Sequence, residues 1–171
     1  MHRKTKLRGM EPVTQYFKEE KKESVFFILI GLLSVLVSLF FLFVRDEAYF
    51  AGISYAIISI GLVQLVVGTT ILLRSDIDIV RVNHFIERER KSIRDYEIPR
   101  MEQVMKNFVI YCWVEIGLII LGFLLFLNFD TKTMGKGLGL GLVIQSSIML
   151  FLDFLAEKRG KEYISFLTSL D

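Results

Sequence analysis

The chain has 171 residues, of which 53% are hydrophobic and 23% are charged, and its mean hydropathy is +0.48. A soluble chain of this length cannot bury so much apolar surface, so the composition excludes an ordinary soluble domain. The net charge of +2 is too small to indicate a nucleic-acid-binding protein.

The apolar residues are gathered in four runs. Each run is about as long as the ~20-residue helix that crosses the hydrocarbon core of a bilayer. Only two charged residues, Glu115 and Asp153, interrupt them. We therefore predict an all-α integral membrane protein, a four-helix (tetraspan) bundle. The predicted spans are residues 25–44, 49–73, 108–129 and 137–156.

A basic segment, residues 1–24, precedes the first run. That run is longer than the core of a signal peptide and lacks a small-residue cleavage site, so we expect it to be retained as a span. Val13, Tyr16 and Phe17 have helical spacing. We therefore predict a cytoplasmic N-terminal arm in which the first helix already begins.

Lysine and arginine are distributed unequally between the two sides of the predicted bundle. The arm, the central segment (residues 74–107) and the C-terminal tail (residues 157–171) contain eighteen of the 21 basic residues. The two short connectors contain only Arg45, Lys132 and Lys136. The positive-inside rule then predicts that both termini are cytoplasmic. Frequent Lys, Ile and Phe without an organelle signal favour the inner (plasma) membrane of a bacterium.

The central segment is predicted to be an amphipathic helical extension. No Gly or Pro separates it from the second span, so we predict one continuous helix to about Pro99 and a third helix from about Arg100. Similar helical stripes of apolar residues precede the first span and follow the fourth. The extensions can pack as a cytoplasmic bundle or lie flat on the anionic leaflet, and their mixed charges favour the bundle. The central stripe consists of Ile79, Val82, Ile86 and Ile93.

Small residues repeat every seven positions in the first two spans, and glycines open the fourth. This spacing lets helices approach closely. The glycines of the fourth span lack the G-K-[ST] ending of a phosphate-binding loop, so we interpret them as helix contacts as well. The predicted packing residues are Ser24, Gly31, Ser38, Ser54, Gly61, Gly68, Gly137 and Gly141.

Polar residues inside the spans are the candidate site. Gln64, Glu115 and Gln145 lie at similar depths near the predicted midplane, and Tyr111 lies one turn before Glu115. Because an ionisable side chain in lipid needs partners, we expect the amides and the phenol to donate hydrogen bonds to Glu115.

Two further residues of the spans have expected environments. Asp153 lies about one turn from the cytoplasmic edge, where we expect it to pair with Arg159 or Arg74. Trp113 lies too deep for the interfacial aromatic belt, so we expect it to be a packing residue.

The polar layer has two interpretations. In one, Glu115 binds a proton or cation and the glutamines line its path. In the other, the same residues form an interhelical hydrogen-bond clamp that fixes helix register. The Leu, Ile and Phe residues above and below the layer favour the clamp.

No enzyme motif, metal-ligand cluster or cofactor site is evident, so we predict a protein that is not an enzyme and needs no cofactor. The prediction is a non-catalytic membrane protein that binds a protein partner or self-assembles in the bilayer. By analogy alone, it is a complex subunit or an immunity-type factor against a membrane-acting toxin. The alternative is a small oligomeric ion or proton channel or transporter with its site at Gln64, Glu115 and Gln145.

Overall fold

The computed structural model describes the backbone of residues 2–170 and the side chains of residues 10–170. Within that backbone the chain is helical, with no strand. Four helices are long and apolar enough to cross a membrane, which confirms the prediction of an all-helical chain with four candidate spans. They are α1 (His2–Val44), α2 (Ala48–Arg88), α3 (Arg90–Asn128) and α4 (Met134–Thr168).

The chain reverses between α2 and α3 at a single residue. Glu89 has φ −139° and ψ 66°, outside the helical region, and α3 begins at the next residue. The prediction that the second helix continues to about Pro99 is therefore wrong. Its apolar stripe was misleading because Val82 and Ile86 on α2 and Ile93 on α3 face the same core from the two sides of the turn.

Pro99 lies inside α3, which begins earlier than the predicted Arg100. A π-helical turn, Ile93–Glu97, precedes the proline, and in it the N–H of Ile98 donates to the carbonyl of Ile93. Proline has no N–H, and its ring crowds the carbonyl four residues before it. The wider turn accommodates both defects, so the helix continues through the proline.

The four helices form two hairpins, α1 with α2 and α3 with α4. The hairpins join through α2 and α4, and α1 makes a smaller contact with α4. The order across the spans is therefore α1, α2, α4, α3. The third helix lies at the edge of the bundle. Of its residues from Ile98 to Asn128, three are buried, namely Met101, Glu115 and Gly122.

Glycine and serine line the seam between α1 and α2. A Cβ on Gly68 would lie 2.9 Å from the carbonyl oxygen of Ser24, and one on Gly31 would lie 2.8 Å from that of Gly61. Ser38 and Ser54, farther along the seam, are both fully buried. The backbones touch here because no larger side chain separates them.

A second small-residue seam joins α3 to α4. A Cβ on Gly122 would lie 2.8 Å from the carbonyl oxygen of Gly139, and the reverse distance is 2.5 Å. This seam follows a seven-residue repeat that the sequence analysis did not identify, and it includes polar residues. The buried residues of the repeat on α4 are Gly139, Ser146, Asp153, Gly160 and Leu167.

The glycines at the start of α4 contact α2. A Cβ on Gly137 would overlap the carbonyl oxygen of Tyr49, and one on Gly141 would lie 2.8 Å from both the Ile53 carbonyl oxygen and the Ala56 Cβ. Both glycines thus lie where the two hairpins join. The two hairpins approach as closely as the helices within each hairpin.

The helices continue past the apolar runs and pack together at the end that carries both chain termini, here called the terminal end. Tyr16 and Tyr163 stack with 4.0 Å between their ring centroids, and Phe17 meets Tyr163 edge to face at 5.7 Å. All four amphipathic extensions share this core. Its buried members are Val13, Tyr16, Phe17, Val82, Ile86, Ile93, Met101, Tyr163 and Leu167.

Candidate functional site

The two glutamines of the predicted polar layer bind each other. Gln145 Nε2 donates to Gln64 Oε1 at 2.7 Å and to Ser34 Oγ at 3.0 Å, and both glutamines are almost fully buried. This cluster joins α1, α2 and α4 through two hydrogen bonds, while Gln64 Nε2 is buried and has no acceptor among residues 10–170. Ser34 was missed by the sequence analysis, although it lies three residues after Gly31 and so on the same seam.

Glu115 is separate from the glutamine cluster. Its side chain is 4% exposed, and among residues 10–170 neither carboxylate oxygen has a hydrogen-bond donor. The expectation that Gln64 and Gln145 donate to it is therefore wrong. Gln145 lies on the face of α4 that meets α2, and about 100° of helix rotation separates it from Ser146 on the face that meets α3.

The neighbour of Glu115 is another acid, Asp153 of α4, and the two carboxyl groups are near enough to interact electrostatically. Helical side chains lean toward the N-terminus of their own helix. Because α3 and α4 run in opposite directions, Glu115 and Asp153 lean toward each other. The chain thus places two carboxyl groups together inside the apolar part of one hairpin.

Tyr111 does not contribute to this pair. Its side chain is 49% exposed and meets Phe108 edge to face with 6.5 Å between ring centroids. The buried stripe of α3 is narrow because the helix packs on one side only, and Tyr111 lies beside that stripe. The expectation that its hydroxyl faces Glu115 is wrong.

A groove of about 430 Å³ opens beside the carboxyl pair between α3 and α4. Its walls are mainly apolar and include the rings of Phe108, Phe151 and Phe154. Asp153 lies in its lining and is 9% exposed. Glu157, farther toward the terminal end, also lines the groove and forms an ion pair with Lys161 at 2.6 Å.

The expected arginine partners of Asp153 are engaged elsewhere. Arg74 binds Glu20 of α1 at 3.0 Å, and Arg159 pairs with Glu23 of α1 while its guanidinium lies over the Tyr16 ring at 5.5 Å. The prediction that Arg159 or Arg74 pairs with Asp153 is therefore wrong. Acids on α1 reach these arginines at the terminal end, whereas Asp153 lies within the apolar hairpin.

A chain of ion pairs crosses the terminal end. Arg81 connects Asp78 of its own helix, at 2.9 Å, to Glu97 of α3, at 3.4 Å. Arg100 contacts both oxygens of Glu97, at 2.5 and 3.0 Å, and Tyr163 Oη donates to it at 3.3 Å. Glu97 is 1% exposed and is surrounded by donors from three helices.

The sequence does contain a signal for this network. Asp78 precedes Val82 by four residues and Glu97 precedes Met101 by four, so each acid lies on a buried apolar stripe. Each also has an arginine three residues later, Arg81 or Arg100. A charge on a buried stripe with a partner one turn away predicts a buried ion pair.

Within residues 10–170, no group of three His, Cys, Asp or Glu side chains is placed to hold a metal ion. The chain matches no protein-family model, no curated protein and no solved structure. The features of the molecule that bear on function are the glutamine cluster, the carboxyl pair with its groove, and the exposed faces of the helices.

Proposed function

We propose that the protein is a non-catalytic multi-pass membrane protein that acts by binding a second chain, either a protein partner or another copy of itself. The exposure of one residue is the main support for the proposal. Trp113 lies in the third apolar run, yet its side chain is 70% exposed on the edge helix α3. Tryptophans that face lipid are enriched at the membrane interfaces, not at this depth. A helix of a second chain is the neighbour that would cover it.

Trp113 belongs to a row of exposed side chains with coiled-coil spacing. Val109, Trp113, Ile120 and Leu127 follow one another at four and seven residues, and each is more than half exposed. With this spacing, one face of α3 can stay against a neighbouring helix along the whole length of the row. Helices in lipid associate through matched packing of such faces, because the lipid offers no hydrophobic driving force.

The mass of the protein in lipid nanodiscs, measured by native mass spectrometry, tests this proposal. We expect the wild type to carry a second chain and Trp113→Ala to lose it. The matched control is Phe40→Ala, which removes a ring of 54% exposure from α1 and should leave the complex intact. A single chain in all three preparations, or an unchanged complex in Trp113→Ala, would contradict the proposal.

For the membrane orientation we propose that both termini are cytoplasmic in a bacterial inner membrane. Eighteen of the 21 basic residues support this orientation because they lie at the terminal end or in the arm that leads to it. The partner's contact surface would then include the cytoplasmic extensions as well as α3.

A small ion or proton channel or transporter is the second candidate. The carboxyl pair Glu115–Asp153 favours it, because ionisable groups inside spans often mark ion pathways. The test is proton and cation flux in liposomes with Glu115→Gln as the control. The binding proposal expects no flux and a folded, fully associated Glu115→Gln protein. Selective flux that the substitution abolishes would establish the channel instead.

A further inference from the structure

The carboxyl pair has no positive partner among the described residues. Asp153 forms no ion pair there, and neither oxygen of Glu115 has a hydrogen-bond donor. Two carboxyl groups side by side cannot both ionise without a cation between or beside them. Protonation or a positively charged ligand would relieve the repulsion between the two carboxylates.

The groove beside the pair selects the kind of cation. A hydrated metal ion needs several oxygen ligands to replace its water, and the groove walls are mainly apolar. The rings of Phe108, Phe151 and Phe154 instead suit an organic cation, which aromatic faces attract. The volume of about 430 Å³ lies in the range of small-molecule sites.

Access to the groove is from the side of the hairpin. Phe151 and Phe154 are 62% and 61% exposed on the outer surface of α4, within the fourth apolar run. A ligand that reaches this surface must first partition into the bilayer. The aromatic walls and the route of access thus both require an apolar body on the charged ligand.

We propose that the groove between α3 and α4 binds a lipophilic organic cation, with its charge against Asp153, the member of the carboxyl pair that lines the groove, and its apolar body among the three phenylalanine rings. Binding needs no transport across the membrane and no second chain, so it stands apart from the function proposed above. Glu157, which lines the groove farther toward the terminal end, is already paired with Lys161 and contributes little to the charge of the groove.

Equilibrium binding of tetraphenylphosphonium to the protein in lipid nanodiscs tests the proposal. Empty nanodiscs measure partitioning into lipid. We expect saturable binding of one cation per chain above that background. Triphenylphosphine oxide, a neutral relative, should not compete.

Two variants change the site in different ways. Asp153→Asn removes the carboxylate that lines the groove and should weaken binding about tenfold or more, the loss expected for one buried charge contact. Phe154→Leu keeps both acids, changes an exposed position and should weaken binding severalfold through the lost ring contact. The matched controls are Asp76→Asn and Phe40→Leu, which lie on α2 and α1 and should bind as the wild type does.

Two results would overturn the proposal. If all variants and empty nanodiscs take up the cation equally, there is only partitioning and no site. If triphenylphosphine oxide competes fully and Asp153→Asn binds normally, the groove is an apolar site without charge recognition. Should Asp153→Asn fail to fold, Phe154→Leu and the neutral competitor still decide between these outcomes.

Discussion

Gly31 and Gly61 face each other across the seam between α1 and α2, so closely that a Cβ on Gly31 would lie 2.8 Å from the carbonyl oxygen of Gly61. In the other direction, a Cβ on Gly61 would lie 2.7 Å from the Cβ of Ser34. The two helices therefore meet backbone to backbone, and side chains of ordinary size do not fit between them.

Gly61→Leu should separate α1 from α2. A leucine there has to displace backbone on the facing helix, and overpacking of this kind costs about 1–3 kcal/mol or more. Thermal melting followed by circular dichroism in detergent measures the effect. Gly117→Leu is the matched control, because a Cβ on Gly117 meets nothing within 4 Å among the described residues. An equal loss of stability in both variants would show that the close contact does not limit the packing.

The hydrogen bond between Gln145 and Gln64 should be measurable as a coupling between the two residues. Gln145→Leu leaves Gln64 Oε1 and Ser34 Oγ without their donor, so we expect a loss of about 1 kcal/mol in unfolding free energy. When Gln64→Leu is added to the Gln145→Leu protein, it should lower the unfolding free energy by less than Gln64→Leu does in the wild type. Unfolding of both single variants and the double variant in mixed micelles gives the coupling energy, and strict additivity would refute the bond.

Among the acidic residues of the terminal end, Glu97 should cause the largest loss of stability when it is substituted. Glu97→Gln removes a charge that Arg81 and Arg100 both contact. Arg81 keeps its ion pair with Asp78, whereas the partly buried guanidinium of Arg100 loses its ion pair with Glu97. Breaking a buried pair in this way costs about 3–5 kcal/mol. The change appears as a lower melting temperature in nanodiscs.

The matched control for Glu97 is Asp76→Asn. Asp76 pairs with Lys21 at 2.6 Å, but its side chain is 68% exposed. A surface pair of this kind contributes about 1 kcal/mol or less, so the control should melt almost as the wild type does. Equal melting temperatures for the two variants would show that burial does not set the strength of the network.

The proposed orientation predicts which sites an impermeant reagent reaches. Cys112 is the single cysteine, so Cys112→Ser provides a thiol-free background. In that background Thr131→Cys, in the connector between α3 and α4, should react with an impermeant maleimide on intact cells. Ser169→Cys should react only after permeabilisation. The opposite pattern would invert the orientation.

The helices and their small-residue seams could be predicted because both depend on local patterns. A run of apolar residues defines a span whatever surrounds it. A repeat such as Ser24, Gly31 and Ser38 identifies the face that approaches another helix, and the structure buries all three residues. The matching repeat on α4 was missed because two consecutive polar members, Ser146 and Asp153, separate its glycines.

The partners of the polar residues could not be predicted, because they depend on helix rotation and helix order. Depth alone placed Gln145 beside Glu115, but Gln145 faces α2, whereas Glu115 on α3 faces a different side of α4, near Asp153. The edge position of α3, which exposes Tyr111 and Trp113, follows from contacts between hairpins that no local pattern encodes. The reversal at Glu89 occurs without the glycine or proline that commonly marks such a turn.

The length of α1 has a consequence for what can reach the protein. Its 43 residues extend about 64 Å at 1.5 Å per residue, roughly twice the thickness of a hydrocarbon core. In a bilayer, the shared aromatic core would extend beyond the lipid headgroups as a stalk, and the ion pairs of Arg74 and Arg159 would lie at its base near the headgroups. A peripheral protein moving along the membrane surface would meet the side of this stalk, and a protein arriving from solution would meet its tip.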